Sequence, residues 1–420
     1  MKLRFAVLLL MFSAAAHAAD APRIALRAAR LLDVRVGAVV ANAVVVIDGN
    51  TIAEVRHDVP AGAELVDLGD VTLLPGLFDM HTHLSIGRTE RLRGPNPMSA
   101  GPVDMGIQAV ENARATLMAG FTTVRECGAN DFIDVALKNA IERGAIVGPR
   151  ITPSGYQISM TGGHGDNVGY PEGVFELTPK QGVADGVPNL LFAVRYQLKH
   201  GAEVIKLTAT AGVLGYERTA TARQFSDEEL RTIVEEARRN GVKVAAHAHG
   251  REGILAAIRA GVDSIEHGSQ LDDEGLALMK ARGTYLVPTL YAQHPDGKGQ
   301  PLPPSIKAKG AAMTAASDVM FPKALRSGVK IAYGTDAGVF PHGLNARDFA
   351  LMTGFGMKPI DAIRSATTAA ADLLGVADRG AIAPGLLADI IAVRGNPLDD
   401  VKTLENVVFV MKDGAIAKRP

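Results

Sequence analysis

The stretch LLPGLFDMHTHL, Leu73 to Leu84, decides how the rest of the chain is read. It runs apolar into a Pro-Gly, continues apolar, and then ends in two histidines one residue apart. Side chains at i and i+2 of an extended strand point to one face, so His81 and His83 project together from the end of a buried strand. Two imidazoles on one face are half of a metal site. They would equally suit two polar residues meeting solvent at a strand end, and the remaining sequence has to decide.

Downstream, seven more short β-branched runs alternate with helical periodicity: TTVREC (122–127), RITPSG (150–155), VIKLTAT (204–210), VKVAAHAH (242–249), DSIEHG (263–268), YLVPTL (285–290) and KIAYGTDAG (330–338). Between them SDEELRTIVEEARRNG (226–241) reads as a helix whose Ser226 and Glu229 form a capping box. Eight alternating units in about 300 residues predict an α/β fold of the (β/α)₈ TIM-like barrel type. A doubly wound open sheet is the alternative, but no glycine-rich nucleotide fingerprint follows a first strand. Residues 155–200, opening GYQISMTGGHGDNVGY, read as an irregular insertion long enough to lie over the barrel mouth.

Both ends of the chain have another texture. RIALRAARLLDV and AVVVIDGNTIAEV, with the turn Asp48-Gly49-Asn50, are short β-like runs, and ADIIAVRGNPL and ENVVFVMKDGAIA repeat the pattern with an Asp413-Gly414 turn. They predict a small β-sandwich domain built from residues 22–75 and 381–420, enclosing a barrel over 76–380.

Composition narrows the function classes. With 420 residues, 47% hydrophobic and only 5% aromatic, the chain suits one large enzyme domain with a smaller one. Lys+Arg of 44 against Asp+Glu of 45 gives no sign of a nucleic-acid partner. The N-terminus carries Lys2 and Arg4, an apolar run from Phe5 to Ala16, and Ala16-His17-Ala18, which reads as a cleaved signal peptide over 1–18. The apolar run is too short for a membrane span of about 20 residues. Cleavage would take the formal net charge from −1 to −3 and place the protein in a bacterial periplasm or outside the cell. Cys127 is the only cysteine, so no internal disulfide forms.

In a barrel of this type the reactive groups sit at the C-terminal ends of the strands. The metal-competent residues there are His81 and His83 on the first run, Lys206 on the fourth, His247 on the fifth, His267 on the sixth and Asp336 on the eighth. Any one alone would suit a satisfied core polar group, but six at the expected end of five runs favour a metal site. Imidazoles and a carboxylate suit Zn²⁺ first, with Mn²⁺, Co²⁺ or Fe²⁺ as competitors. An ammonium ligates nothing, but a buried lysine amine that sheds its proton can react with CO₂. The resulting carbamate has two oxygens and can bridge two metals. An ion pair or a substrate clamp is the other reading of Lys206.

A His-Thr-His followed by Lys, His, His and Asp on successive barrel strands resembles the amidohydrolase superfamily in its binuclear, carboxylated-lysine form. The flanking LLPGLFDMHTHL and GAIAPGLLADIIAVRGNPL are similar too, and the resemblance covers nearly the whole chain after the leader. ITPSGYQISMTGGHG, KLTATAGV, AAHAHG, DSIEHGS and GTDAGVFPHG resemble, more narrowly, bacterial Xaa-Pro dipeptidase-like metal carboxypeptidases, a group that includes ochratoxin-degrading amidohydrolases. The resemblance implies that His81, His83 and Asp336 hold the more buried of two divalent metals and His247 and His267 the second. It implies that Lys206, as N6-carboxylysine, bridges them, and that the protein forms a homo-oligomer as large as an octamer.

The implied chemistry is attack of a metal-bridging hydroxide on the amide bond to a C-terminal amino acid, in a dipeptide or an N-acyl or aryl amino acid such as ochratoxin A. Asp336 would act as general base and then general acid. Substrate contacts are expected from His164 and His342 in mouth loops, His249 beside His247 as oxyanion support, Arg251 as a carboxylate fork, and Tyr291 past the seventh run. Each could instead hold loop backbone or meet solvent. Arg125, Glu126 and Cys127 read as barrel packing or support. Two other functions remain open: a cyclic-amide hydrolase or deaminase like imidazolonepropionase, whose mononuclear site lacks a bridging lysine, and a non-catalytic periplasmic metal- or solute-binding protein, which has no need of Asp336 as a proton shuttle.

Overall fold

The structure is a computed structural model and describes residues 23–86, 101–174, 176–215, 217–294 and 303–420. The expected signal peptide over 1–18 lies outside the described residues, as do residues 87–100 and 295–302. Five strands come first: β1 (Ile24–Asp33), β2 (Ala38–Asp48), β3 (Thr51–Arg56), β4 (Glu64–Asp67) and β5 (Val71–Pro75). Seven follow in the alternating region: β6 (Leu77–Thr82), β7 (Phe121–Glu126), β8 (Arg150–Thr152), β9 (Val204–Thr208), β10 (Lys243–Ala248), β11 (Ser264–His267) and β12 (Tyr285–Val287). The last three are β13 (Ile390–Arg394), β14 (Val407–Lys412) and β15 (Ala415–Lys418).

Both ends of the chain share one eight-stranded sheet, in the order β15-β14-β13-β5-β1-β2-β3 with β4 beside β1. β5 sits in its middle, parallel to β1 and antiparallel to β13. One core takes Leu26, Val45, Ile47 and Leu73 from the front of the chain and Ile390, Phe409 and Met411 from the back. Only Gly76 separates β5 from β6, and a Cβ there would lie 2.2 Å from Thr122 Oγ1 on β7. The opening stretch thus passes from the terminal sheet into the alternating region through a joint with no room for a side chain. Arg150 on β8 ties the two regions again by pairing with Asp389 and Asp413.

In the alternating region β6-β7-β8 form one parallel sheet and β9 to β12 another. β9 is buried at every position, as expected of a parallel strand covered on both faces. Backbone bonds join the two sheets at both ends. On one side Glu203 N donates to Pro153 O at 2.8 Å and Ile158 N to Lys206 O at 2.8 Å. On the other, Leu286 N donates to Lys330 O at 2.9 Å and Met80 N to Tyr333 O at 2.8 Å.

Three expected elements differ. The 330–338 run is no regular strand, since only Ile331 and Ala337 make β-bridges. Tyr333 N turns away to Ser365 O, and Asp336 has φ +64°, which breaks extended backbone. β8 stops at Thr152 because Pro153 has no donor for the ladder. The insertion is irregular apart from a 3₁₀ turn at Pro179–Gln181 as far as Asp185, and Gly186–Lys199 is a helix that buries Leu190, Ala193, Val194 and Gln197 on one stripe. The capping box at Ser226 and Glu229 opens helix Asp227–Arg239 as expected. Among the described residues no helix is long and apolar enough to cross a membrane.

Candidate active site

The strand ends converge. His81 Nε2 lies 3.4 Å from Asp336 Oδ1 and 3.3 Å from Lys206 Nζ, and His83 Nε2 lies 3.3 Å from the same Asp336 oxygen. The His267 ring centroid is 5.1 Å from that of His81 and 4.7 Å from that of His247. Two groups of side chains have the spacing to hold metal ions: His81, His83 and Asp336, and next to them His247, His249 and His267. All six residues expected to ligate are therefore together: five come from β6, β9, β10 and β11 or the residue just past β6, and Asp336 from the irregular 330–338 run. His267 (φ +69°) and Asp336 (φ +64°) have left-handed backbone. Such strain costs about 1–3 kcal/mol per residue and is typical of functional sites. Gly334 lets the last segment approach β6, since a Cβ there would come within 3.0 Å of His81 Cβ.

The chemistry of these donors fits a divalent ion. A carboxylate or carbonyl only accepts, so the proton of each imaginable hydrogen bond can be placed. His81 Nδ1–H donates to Glu266 Oε2 (2.9 Å), His83 Nδ1–H to Gly128 O (3.0 Å) and His247 Nε2–H to Ala211 O (3.2 Å). Each ring is left with one bare nitrogen, the state a metal ligand needs. His267 Nδ1 shares a 2.7 Å bond with Thr289 Oγ1. Burial, with Lys206 close by, lowers His81 to about 4, and burial with neighbouring imidazoles lowers His247 and His267 well below the usual range. Burial alone would raise Asp336, but His81, His83 and Lys206 outweigh it and hold its carboxyl at about 2.

Two carboxylates behind the site went unnoticed in the sequence. Glu266 is fully buried and accepts from His81 on one oxygen and from Arg125 Nη2 (2.7 Å) on the other. Burial pushes it up, yet Arg125 and His81 prevail and hold it at about 2. Asp79 accepts from His81 N (3.1 Å), Thr335 N (3.0 Å), Thr335 Oγ1 (2.6 Å) and Asn345 Nδ2 (2.8 Å), so it locks β6 to the Asp336 segment. Its signal was available: Asp79, His81 and His83 alternate onto one face. Cys127 is buried, and burial pushes its thiol to about 12, which suits packing rather than nucleophilic attack.

The expected substrate contacts divide. The His164 ring stacks on His247 at 4.4 Å, and its Nδ1 lies 3.4 Å from Glu217 Oε1, so it stands at the site. His249 is also in place, with its ring centroid 4.8 Å from that of His267. Arg251 is a correction: its guanidinium is on the surface, paired with Asp272 and Glu274, so its donor fork is already filled by the chain's own carboxylates. Tyr291 is buried against Phe340, and its hydroxyl accepts from Arg347. His342 is a correction too. Its Nε2–H donates to His83 O (3.2 Å) and its Nδ1 accepts from Thr116 Oγ1 (3.0 Å), so both nitrogens hold the fold together.

Comparison with known proteins agrees with this geometry. The amidohydrolase family model matches residues 72–417. Ochratoxinase from Aspergillus niger is 36% identical over 370 residues, covering 83% of this chain and 76% of that protein. Among solved structures, a Xaa-Pro dipeptidase with methionine bound in its active site superposes with a TM-score of 0.88 at 39% identity, covering 94% of this chain and 99% of that one. A prolidase complexed with N-methylphosphonate-L-proline gives 0.84 at 32% identity, covering 95% and 100%. These neighbours have a TIM barrel with a separate β domain, in a family that generally uses divalent metals. The chain belongs to the amidohydrolase family and is a hydrolase of amide bonds.

Proposed function

We propose that the protein hydrolyses the amide bond to a C-terminal amino acid, in dipeptides and in N-acyl or aryl amino acids, ochratoxin A among them. The observation that carries this reading is Lys206 and Asp336 meeting at His81, 3.3 Å and 3.4 Å from its bare Nε2. His81, His83 and Asp336 would hold one divalent ion, Zn²⁺ by preference, and His247 and His267 a second. Lys206 would join them as a carbamate, its amine nitrogen forming a bond to the carbon of CO₂ and releasing a proton to solvent. When bound, such a pair makes hydroxide available near neutral pH and polarises the scissile carbonyl.

The chain's own residues do the rest. Asp336 is ionised at neutral pH, takes a proton from the attacking water and returns it to the leaving amine. Glu266 and Gly128 O keep the bare nitrogens of His81 and His83 turned inward. His164, stacked on His247, is the contact best placed for substrate. Lys206 beside His81 weighs against a mononuclear cyclic-amide hydrolase or deaminase. Asp336, with its neighbours arranged to keep it ionised, weighs against simple metal storage.

The same reading takes the alternating units as a closed (β/α)₈ barrel over 76–380, supported by the backbone bonds at both ends of its sheets, and the terminal sheet as a β-sandwich of 22–75 and 381–420. It includes export to the periplasm or beyond after cleavage at Ala18, and a homo-oligomeric enzyme. The test is a panel of Xaa-Pro dipeptides, N-acyl-phenylalanines and ochratoxin A, run with the wild type and Asp336→Asn. The wild type should release the C-terminal amino acid, and the variant should lose about 10²-fold or more in kcat. Full activity in Asp336→Asn would remove the proton shuttle, and no cleavage across the panel would remove the substrate class.

A further inference from the structure

Glu217 is a carboxylate that the chain itself does not satisfy. Its side chain is 11% exposed. Among the described residues neither of its oxygens accepts a hydrogen bond, although both are out of contact with solvent. Oε1 lies 3.4 Å from His164 Nδ1, an ionic contact without the geometry of a hydrogen bond. Buried polar atoms are almost always paired, and a buried anion short of donors is costly. Burial would raise its carboxyl, but His164 prevails and holds it below the usual carboxylate range, so the group is an anion at neutral pH.

The loop that carries Glu217 is held in place. Lys309, on the helix Pro304–Ser327, is a cation close enough to act on the carboxylate. Its three protons nevertheless go to backbone: to Gly212 O (3.2 Å), Gly215 O (2.6 Å) and Glu217 O (3.0 Å). The ammonium straps the loop and leaves the carboxylate oxygens without a donor. A Cβ on Gly212 would collide with the His164 ring, and one on Gly215 with the Glu217 carboxylate. The two glycines thus leave the room that these two side chains fill.

Position gives the carboxylate a use. The His164 ring stacks on His247 at 4.4 Å, so Glu217 stands one imidazole away from the candidate metal ligands. One extended residue spans about 3.5 Å, and an arginine or lysine side chain reaches further. A substrate whose scissile carbonyl lies at Lys206 and Asp336 therefore brings its neighbouring groups within range of Glu217. Amides of the proposed class offer two cations there: the α-ammonium of an unblocked dipeptide, and a C-terminal arginine or lysine side chain. We propose that Glu217 determines specificity by receiving a cationic group of the substrate, ammonium or guanidinium, in a charge-assisted hydrogen bond. This deepens the amide-hydrolysis reading above and rests on it. It ranks amides with a cation near the scissile bond ahead of N-acyl amino acids that carry none, ochratoxin A among them.

The test is kcat/KM of the full-length wild type and of Glu217→Gln on two matched pairs of amides. Met-Leu against N-acetyl-Met-Leu isolates the α-ammonium. N-acetyl-Met-Arg against N-acetyl-Met-citrulline isolates the guanidinium at nearly constant shape. In at least one pair the wild type should favour the cationic member by about 10-fold or more, and Glu217→Gln should abolish that preference. The pair that responds names the cation. Disturbing His164 alone would lower both members of a pair together. A ratio unchanged by Glu217→Gln would therefore reduce Glu217 to a prop for His164 and overturn the proposal. A wild type with no preference in either pair would overturn it too. Cleavage of none of the four amides would instead remove the amide-hydrolysis reading itself, so the two failures are distinct.

Discussion

Glu266 shows how much of the site lies behind its candidate ligands. Its two oxygens each hold one cation or N–H, Arg125 on one side and His81 on the other, all three fully buried. Removing the charge leaves Arg125 short of a partner and lets the His81 ring choose either tautomer. Glu266→Gln should therefore lower affinity at the His81 metal position by roughly 10–100-fold with the fold intact, as read by metal dialysis and circular dichroism. Unchanged affinity would mean that His81 is positioned by β6 alone. The ligand candidates themselves were legible because residue type and strand end suffice to find them. Glu266 was not, because its partner His81 is 185 positions away and a carboxylate beside His267 reads as one more polar strand residue. Arg251 misled for the opposite reason: its place at a helix start is local, while its pairing with Asp272 and Glu274 is not.

Among the elements, strand cores were legible and their ends were not. Runs of β-branched residues located β6 to β12, but Pro153 shortened β8, and a left-handed Asp336 with the Tyr333–Ser365 bond dissolved the eighth run into two bridges. The segment after that run carries His342 into the space between the helix Pro102–Met118 and the His83 carbonyl. Burial lowers His342 to about 4, below its usual 6.5. The unfolded chain therefore binds more protons than the folded one between these values. Stability from this group is complete above pH 6.5 and is lost as pH falls to 4, by about 3 kcal/mol at full weight. His81, His249 and the other buried imidazoles pull the same way in the metal-free protein. Urea unfolding of metal-free wild type and His342→Gln should show a shallower decline in the variant across this window. Identical pH dependence would place His342 outside the folded-state network.

At the scale of the whole molecule, the two ends of the chain make one sheet and the opening stretch passes directly from it to the candidate metal site. Leu73 and Leu74 pair with β13, Gly76 is the joint, and His81 follows five residues later. The pairing of the ends could be anticipated from their shared texture. The single path β15-β14-β13-β5-β1-β2-β3 could not, because strand order depends on long-range pairing that alternation does not encode. The architecture brings six metal-competent residues from five separate segments to one end of the parallel strands, and His81, His83 and His247 each hold one ring N–H on an acceptor of the chain. The most direct test of the account is the metal content of the purified protein by elemental mass spectrometry. It predicts about two divalent ions per chain. One ion or none per chain, in protein that still cleaves amides, would contradict it.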